Sequence, residues 1–594
     1  MGAVGTGGAV AAVVPLRVRV SDPAVTEVYL RTVEDGEPRW LPGTAADAAG
    51  PERWWSAELP ITAPLTHYRF LLVPDGGQPY WLNAAGLWSR DVTDRHDFRL
   101  VTHDPGPDWA VDRVVYQVFP DRFARAADAR PVADIAPDWA IPCQWADQVL
   151  GRGPDVPHQF FGGDLDGVRE HLGHLVGLGV GCLYLTPVFP ARSNHRYNAS
   201  SFACVDPLLG GDRALTELVT AAHDLGLQVI GDITTNHSGD DHPWFARALA
   251  AAPGSVERGY YYLSDSGEYV AWLGVPSLPK LNFGSAELRK QIYGSGDSVI
   301  ARWLRPPFDL DGWRVDVANM TGRRGAQDDT LEVARGIRET VDAVRPGSVL
   351  LAEHGHDYTD DLIGDGWQAT MNYAGFTRPV WSWLAGRSQV QSQFLGVPGG
   401  IARRGAESVV ATMSDFDGSV PWSVRQRNWK ILDSHDTPRF AEVTSDPALT
   451  AVGIGLQFTL PGVPMVFAGA ELGLGGSNGE QSRRPMPWGD PGSWDAERLA
   501  LYRELINLHA TTRALRRGGL RWLVAQGDVL AFLRETTADR ILVVAARDGW
   551  SGAPLPTELG RSAETLYGGT DLTHGGDALT VPGVGPAVGV WRLT

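Results

Sequence analysis

Apolar, strand-like runs alternate with amphipathic stretches about eight times over roughly 400 residues, and this alternation limits the possible folds more than any other feature. The strand-like runs are RVVYQVF, VGCLYLTPV, LQVIGDITT, DGWRVDV, SVLLAEH, QATMNY, WKILDSHD and GVPMVFAGA. Helical patterns such as DRALTELVTAAHDLG lie between them, with aspartate at the start and glycine at the end. The alternation predicts an α/β fold, a parallel (β/α)8 TIM barrel. A doubly wound sheet is the alternative, but no glycine-rich phosphate turn follows the first strand in VVYQVFPDRFARA.

The predicted barrel lies between two β modules. Residues 16–100 alternate apolar and polar side chains in short runs separated by Gly, Pro and Asp, which predicts a sandwich. The linker THDPGPDWAVD follows and indicates a domain boundary. We therefore assign 1–105 to an N-terminal β-sandwich, 106–514 to the barrel and 515–594 to a C-terminal β-sandwich. A stretch of about 238–285, rich in Trp, Tyr, Gly and Pro, is predicted to be an insertion after the third strand.

Composition excludes some classes of binding partner and favours one cellular compartment. The net charge of −18 argues against nucleic acid or an anionic membrane as the main partner. Cysteine occurs only at 143, 182 and 204, an odd number without metal-ligand spacing, so neither a disulfide framework nor a zinc site is expected. No basic residue precedes the short apolar patch at the N-terminus, and no window reaches the ~18 apolar residues of a spanning helix. These features predict a cytoplasmic protein without a membrane partner.

Charged side chains cluster where four of the predicted strands end. They are Asp232 and His237 at the third strand, Arg314 and Asp316 at the fourth, Glu353 and His354 at the fifth, and His435, Asp436 and Arg439 at the seventh. A structural ion pair or a helix cap explains any one of them better than function does. As a set they predict an active site, because barrel active sites lie at the carboxyl ends of the strands.

The residue types suit glycoside hydrolysis. Arg314 and Asp316 are two apart, so a strand presents them on one face, and a guanidinium beside a carboxylate favours the ionised form of a nucleophile. Glu353 ends the apolar run VLLAEH, where partial desolvation suits a general acid. Asp436 is expected to hold sugar hydroxyls and help to distort the ring. A retaining glycosidase needs two carboxylates ~5–5.5 Å apart, one to attack the anomeric carbon and one to protonate the leaving oxygen.

The stretches DITTNH, GWRVDVANM, AEH and SHD resemble the four main sequence regions of the α-amylase superfamily, glycoside hydrolase family 13. The resemblance implies that Asp316 is the nucleophile, Glu353 the general acid/base and Asp436 the transition-state stabiliser. It also implies substrate-binding roles for further residues, namely Arg314, His237, His435 and Tyr197, the last stacking on the reacting glucose. We add Asp232, His354 and Arg439 from the same strand ends to the predicted substrate-binding set.

Other motifs resemble particular groups within this superfamily. VVYQVFPDRFA, FFGGDLDGVREHL and SLPKLNF are similar to the neopullulanase, cyclomaltodextrinase and maltogenic amylase group, whose members carry an N-terminal starch-binding-like domain. AEHGHDY, TMNYAGFTRPVW, IYGSGDSVIARWL and RRGGLRWL are more similar to bacterial maltodextrin glucosidase. Two features depart from the family pattern: Tyr197 is followed by NASSF, without the usual acids, and DRFARAADARPVADIAP lacks an Asn/Asp-rich calcium loop. We therefore expect no required metal, no cofactor, and altered hydrogen bonding around the reacting sugar.

The expected activity is retaining hydrolysis of short α-1,4-linked maltooligosaccharides, as in maltodextrin glucosidase, with transglycosylation as a side reaction. The alternative is a cyclomaltodextrinase or neopullulanase type of hydrolase that opens cyclic or branched α-glucan oligosaccharides. A non-catalytic glucan-binding relative is disfavoured, since such relatives lose one or more of the carboxylates that this chain keeps. A pure transferase stays open. Neopullulanase-like relatives imply a homodimer, which glucosidase-like relatives do not require.

Overall fold

A computed structural model describes residues 12–46, 53–294, 296–386, 400–556, 559–560, 562–575 and 578–594. The first eleven residues of the predicted N-terminal domain, including the start where we expect no signal peptide, lie outside the described residues. Within the described part of the chain, no helix is both long and apolar enough to span a membrane.

Eight parallel strands form the predicted barrel. They are β1 Val115–Val118, β2 Cys182–Leu185, β3 Gln228–Thr234, β4 Gly312–Asp316, β5 Val349–Ala352, β6 Ala369–Thr370, β7 Trp429–Ile431 and β8 Val463–Phe467. Their order in the sheet is β6-β5-β4-β3-β2-β1-β8-β7, and a parallel bridge between Met371 and Trp429 joins the two ends. The strands are almost wholly buried, which is why their sequences read as continuous apolar runs and not as an alternation.

Helices cover the outside of the barrel, and their apolar faces follow the helical period. In the helix Gly211–Asp224, Ala214, Leu215, Leu218 and Val219 are buried. The α-helices are Trp109–Asp112, Pro120–Phe123, Val132–Ile135, Leu165–Glu170, Leu172–Leu178, Gly211–Asp224, Pro243–Ala250, Ala286–Ile292, Val299–Trp303, Thr330–Val344, Arg378–Leu384, Ala406–Asp417, Trp422–Arg425, Phe440–Thr444, Pro447–Thr459, Gly479–Ser482, Ala496–Thr511 and Arg513–Arg517.

The strand predicted from QATMNY is the shortest of the eight. Only Ala369–Thr370 is extended, because the chain turns into a π-helix at Tyr373–Thr377. The segment between β3 and β4 is long, as predicted, but it is not without regular structure. It contains the helix Pro243–Ala250, and a single bridge pairs His237 with Lys280.

Two β modules flank the barrel, as the sequence predicts. The N-terminal strands are Ala12–Val20, Val25–Glu34, Glu37–Pro42, Thr44–Ala45, Arg53–Ile61, Leu65–Pro74, Tyr80–Asn83, Gly86–Trp88 and Phe98–Val101, and they form two sheets around a small core of their own. The C-terminal strands are Gly519–Gln526, Val529–Glu535, Arg540–Ala546, Ala553–Pro554, Ala563–Tyr567, Thr573–Gly575, Ala578–Val581 and Ala587–Leu593, again in two sheets. The exact domain divisions at 105/106 and 514/515 remain our proposal.

The C-terminal module shares its core with the barrel. Leu530, Phe532, Val543 and Val590 belong to the same buried cluster as the barrel strands and helices. The buried Arg534 adds polar contacts, since its Nη2 donates to the Gly518 carbonyl at 2.9 Å and its Nη1 to that of Thr459.

Candidate active site

A cavity of about 760 Å³ opens at the carboxyl ends of the barrel strands. Five of the ten predicted site residues line it: Tyr197, His237, Asp316, Glu353 and Asp436. Carboxylates separated by more than a hundred residues of sequence therefore face one space, because parallel strands end at the same edge of the barrel.

Arg314 connects the carboxylates beneath this cavity. It is fully buried, and its Nη1 lies 2.9 Å from both Asp232 Oδ2 and Asp316 Oδ1. Its Nη2 lies 3.2 Å from Glu353 Oε1. One guanidinium thus contacts three carboxylates from three adjacent strands, which holds Asp316 and Glu353 close together.

Asp316 ends β4 and accepts a hydrogen bond from Thr234 Oγ1 at 3.2 Å. Burial raises its pKa well above the ordinary value against the opposing effect of Arg314, and the nearby carboxylates Glu353, Asp232 and Asp436 raise it further. Arg314 favours the ionised form of Asp316, as the sequence predicts, but desolvation has the larger effect on the pKa. Burial likewise raises the pKa of Asp232 to about 6.

Glu353 follows β5 and accepts a hydrogen bond from the Val317 backbone N–H at 2.9 Å on Oε2. Val317 has a φ of 48°, a conformation that β-branched residues rarely adopt. This backbone directs the N–H that follows Asp316 towards the second carboxylate. Strained backbone of this kind is common at functional sites.

Asp436 lines the cavity and has two neighbours, the neutral His435 and the cationic Arg483. His435 Nε2 is 3.2 Å from its Oδ2, and Arg483 Nη2 donates to its Oδ1 at 3.2 Å. Arg483 is held in turn by the His435 carbonyl, to which its Nε donates at 2.7 Å, and by Glu480 at 2.8 Å. Arg483 and Glu480 line the cavity, and our sequence reasoning missed both.

Tyr197 and His435 form a second hydrogen-bonded group. Their rings stack with centroids 5.5 Å apart, and the Tyr197 hydroxyl lies 2.6 Å from His435 Nε2 and donates to Asp232 Oδ2 at 3.0 Å. The Gln117 amide donates to His435 Nδ1 at 2.7 Å. Burial lowers the pKa of His435 well below its ordinary value, so the ring is neutral and its Nε2 carries the proton. Asp232 supports the site from beneath the cavity.

Other polar contacts hold the segment around Tyr197, which lacks the acids seen in the family pattern. Ser193 Oγ donates to the Asn198 side-chain carbonyl, and Arg196 Nε donates to Asp206 Oδ2 at 2.9 Å. Aromatic walls complete the cavity: Trp139 comes from the loop after β1, and Trp272 lies 5.8 Å from the His237 ring. Both tryptophans lie far along the chain from the end of the preceding strand, which is why the strand-end argument did not find them.

Five predicted residues do not line the cavity: Arg314, Asp232 and His435 contact residues that do, whereas His354 and Arg439 are bonded elsewhere. His354 is buried with Nε2 2.9 Å from Asp361 Oδ2, because consecutive residues at a strand end point to opposite sides. Arg439 donates to the backbone carbonyls of Phe467, Ala468 and Ser482, at 2.8 Å in the last two cases, and is buried. Both side chains stabilise loops beside the site.

The described residues contain no group of three or more His, Cys, Asp or Glu side chains arranged to hold a metal ion. The arrangement that is present has three carboxylates on one guanidinium and a fourth, Asp436, at an aromatic-walled cavity. It is suited to acid/base and nucleophilic chemistry on a neutral polar substrate.

Comparisons with known proteins show which family the chain belongs to. Residues 117–500 match the family model described as the alpha amylase catalytic domain. A cyclomaltodextrinase of Geobacillus thermopakistaniensis is 30% identical over 523 residues, covering 85% of this chain and 82% of that protein. Neopullulanase 2 of Thermoactinomyces vulgaris is 28% identical over 554 residues, covering 90% and 88%.

The similarity extends to solved structures. The structure of a cyclomaltodextrinase has a TM-score of 0.72 and 26% identity, covering 98% of this chain and 96% of that one. Because the family model spans more than half of the sequence and the relatives align over most of their own length, the likeness is not confined to the barrel. The chain therefore belongs to the α-amylase family of glycoside hydrolases.

Proposed function

We propose that the protein is a retaining hydrolase of α-glucosidic bonds in short α-glucans. The observation that carries this proposal is the single Arg314 guanidinium, which contacts both Asp316 and Glu353 at the cavity floor. Two carboxylates that share one guanidinium favour the ~5–5.5 Å separation of retaining enzymes over the ~6.5–9.5 Å that admits a water molecule in inverting ones.

In the proposed mechanism, Asp316 attacks the anomeric carbon while Glu353 gives its proton to the glycosidic oxygen. The leaving saccharide departs with that proton, and a glycosyl ester remains on Asp316. Glu353 then takes a proton from water, which attacks the same carbon and releases the sugar with its anomeric configuration retained. Arg314 stabilises the negative charge that returns to Asp316.

The other cavity residues bind and orient the sugar. Asp436, paired with Arg483, is placed to accept hydroxyl hydrogen bonds and to balance the positive charge that develops on the ring. Tyr197 offers a flat face for stacking, and the fully buried, neutral His435 holds the Tyr197 hydroxyl and lies beside Asp436. Glu480 holds Arg483 and is the residue we propose to tune the position of that cation.

The names of the relatives favour cyclic or branched oligosaccharides as substrates, the alternative in our sequence analysis. Cyclomaltodextrinase and neopullulanase align over nearly the whole chain. Hydrolysis of linear maltodextrins is the second candidate function, supported by the Glu353-His354 pair and the adjoining motifs. A homodimer and a cytoplasmic location remain part of the proposal.

A product profile separates these candidates. We expect β-cyclodextrin to be opened faster than maltotriose is cleaved, with early products in the α-anomeric form by NMR. Faster release of glucose from maltotriose would instead favour hydrolysis of linear maltodextrins. Early products in the β-anomeric form would contradict a retaining mechanism. Asp316→Asn is the control: it should lose all turnover on every substrate and keep the native circular dichroism spectrum.

A further inference from the structure

Lys280 is a buried cation with no described partner of opposite charge. It lies in the SLPKLNF stretch after the third strand, and only three of the 52 Lys and Arg residues in the sequence are lysines. Among the described residues, its ammonium forms no ion pair with a carboxylate. Burial, with help from Arg324, lowers its pKa to about 8. A buried, unpaired charge is costly, so the position of this ammonium calls for an explanation.

The ammonium makes two contacts, both with neutral acceptors. Nζ donates to the Asn236 side-chain oxygen and, at 2.8 Å, to the Met320 carbonyl. A lysine ammonium has donors only, so it determines which end of the Asn236 amide faces it. The amide oxygen must point to Lys280, and the amide NH2 group must point the other way.

On that other side lies His237. Asn236 Nδ2 is 3.1 Å from His237 Nδ1. Because the amide nitrogen is a donor, Nδ1 must be an acceptor without a hydrogen. Burial, followed by the effect of Lys280, lowers the pKa of His237 to about 3, so the ring is neutral and its one ring proton must lie on Nε2.

The remaining ring nitrogen, Nε2, has no hydrogen-bond partner by distance and angle within the described part of the chain. His237 lines the cavity, and its Nε2 is buried. A chain of hydrogen-bond donors and acceptors therefore connects Lys280, which does not line the cavity, to the proton on Nε2 of His237, which does. We name Lys280, Asn236 and His237 the Lys280 relay.

We propose that Lys280 is a positioning residue that fixes, through Asn236, the Nε2–H tautomer of His237 and so makes this ring a hydrogen-bond donor to a substrate hydroxyl. The effect on turnover depends on the proposed glycosidase function, but the tautomer does not. The relay can therefore be tested in the free enzyme, independently of any substrate.

The sharpest variant is Asn236→Asp. An aspartate carboxylate has nearly the same shape as the amide and still accepts from Lys280, but it cannot donate to Nδ1. It instead attracts the ring proton to Nδ1 and leaves Nε2 as an acceptor. Lys280→Met removes the ammonium from the relay and also frees Met320, while Asn236→Asp leaves the Met320 contact in place.

The test is a long-range ¹H–¹⁵N NMR correlation on the full-length enzyme labelled at its histidines. It is recorded at about pH 7, where Lys280 is still mainly an ammonium and His237 is already neutral. His237→Gln identifies the His237 signals among those of the 15 histidines. We expect the proton on Nε2 in the wild type, on Nδ1 in Asn236→Asp, and a mixture of tautomers in Lys280→Met. Asn282→Asp, the same exchange two residues from Lys280, should leave the His237 signals unchanged.

The kinetic consequence is the loss of one hydrogen bond to the substrate. Asn236→Asp should lower kcat/KM about tenfold at an unchanged melting temperature, since ~1.4 kcal/mol corresponds to a factor of ten. A wild-type proton on Nδ1, or a proton that stays on Nε2 in both Asn236→Asp and Lys280→Met, would overturn the proposal. A reversed tautomer without any change in kcat/KM would show that the donor is not used, and would overturn its role in turnover.

Discussion

The ionisation of Asp316 controls when the proposed nucleophile is available. Its pKa is raised by burial and by nearby carboxylates, and Arg314 reduces this rise without reversing it. A nucleophile must be ionised, so activity should fall as the pH drops through this raised pKa. The acid limb of kcat/KM, which reports the free enzyme, should accordingly lie above the ordinary range of aspartate.

Removing a neighbouring charge tests the cause of this shift. Glu353→Gln deletes one carboxylate that raises the pKa of Asp316, so the acid limb should move to lower pH. An α-glucosyl fluoride is the substrate to use, because its leaving group departs without a proton from residue 353. The pH profile of kcat/KM for variant and wild type provides the measurement. An acid limb that stays in place or rises would contradict the assignment of that limb to Asp316.

The sequence predicted much of this site from a single physical argument. Asp316, Glu353 and Asp436 could be brought together before any coordinates were known, because strand ends of a parallel barrel share one edge. The argument failed for His354, the neighbour of Glu353, since adjacent residues of an extended chain point in opposite directions. It also could not find Arg483, which follows the short helix Gly479–Ser482 and contacts Asp436 from 47 residues further along the chain.

At the level of elements, β4 is the strand that positions the site. It carries Arg314 and Asp316, and it begins at Gly312, whose φ of 152° is rare for residues with a side chain. A Cβ at this position would lie 2.2 Å from the Val349 carbonyl oxygen of β5, which is closer than any real contact. This glycine permits the close approach of the two strands that hold the proposed nucleophile and acid.

Gly312→Ala should therefore destabilise the protein by about 3 kcal/mol, because backbone atoms of β5 must move to relieve the overlap. Urea unfolding followed by circular dichroism measures the change. Gly173→Ala is the matched control: Gly173 is exposed in the helix Leu172–Leu178, and a Cβ there meets nothing within 4 Å. The control should gain about 0.5–1 kcal/mol from helix propensity. Equal stability of the two variants would contradict this account of β4.

Element types were easier to predict than element lengths. The apolar runs identified all eight barrel strands, since buried parallel strands require continuous apolar sequence. The run QATMNY was too long by four residues because Asn372 accepts a hydrogen bond from the Gly375 N–H and starts a helical turn. The helix Pro243–Ala250 was not predicted, because its eight residues lie in an aromatic-rich stretch without a clear helical period of apolar residues.

At the scale of the whole molecule, the two β modules are attached in different ways. The apolar core of the N-terminal module is separate from that of the barrel among the described residues. Polar contacts hold the linker: Arg338 Nη2 donates to the Asp104 carbonyl at 2.9 Å and Arg427 Nη2 to that of Gly106 at 3.0 Å. The C-terminal module instead completes the barrel core through residues such as Phe532 and Val590.

Two truncations should accordingly behave in opposite ways. A chain that starts at Thr102 keeps both linker contacts and should fold, with a cooperative thermal transition. A chain that ends at residue 514 uncovers the apolar side chains that pack against the C-terminal sheet, and it should aggregate on expression. Solubility and differential scanning calorimetry of the two proteins provide the measurements. A soluble, cooperatively melting 1–514 chain would contradict the shared core.

The shared core also constrains the order of events during synthesis. All eight barrel strands leave the ribosome before residues 519–593 do, yet the helix Pro447–Thr459 depends on those later residues for cover. Until residues 519–593 have been translated, the nascent barrel exposes an apolar surface of the kind that chaperones bind. Slower translation of residues 519–593 should therefore prolong the time for which the nascent chain needs chaperones.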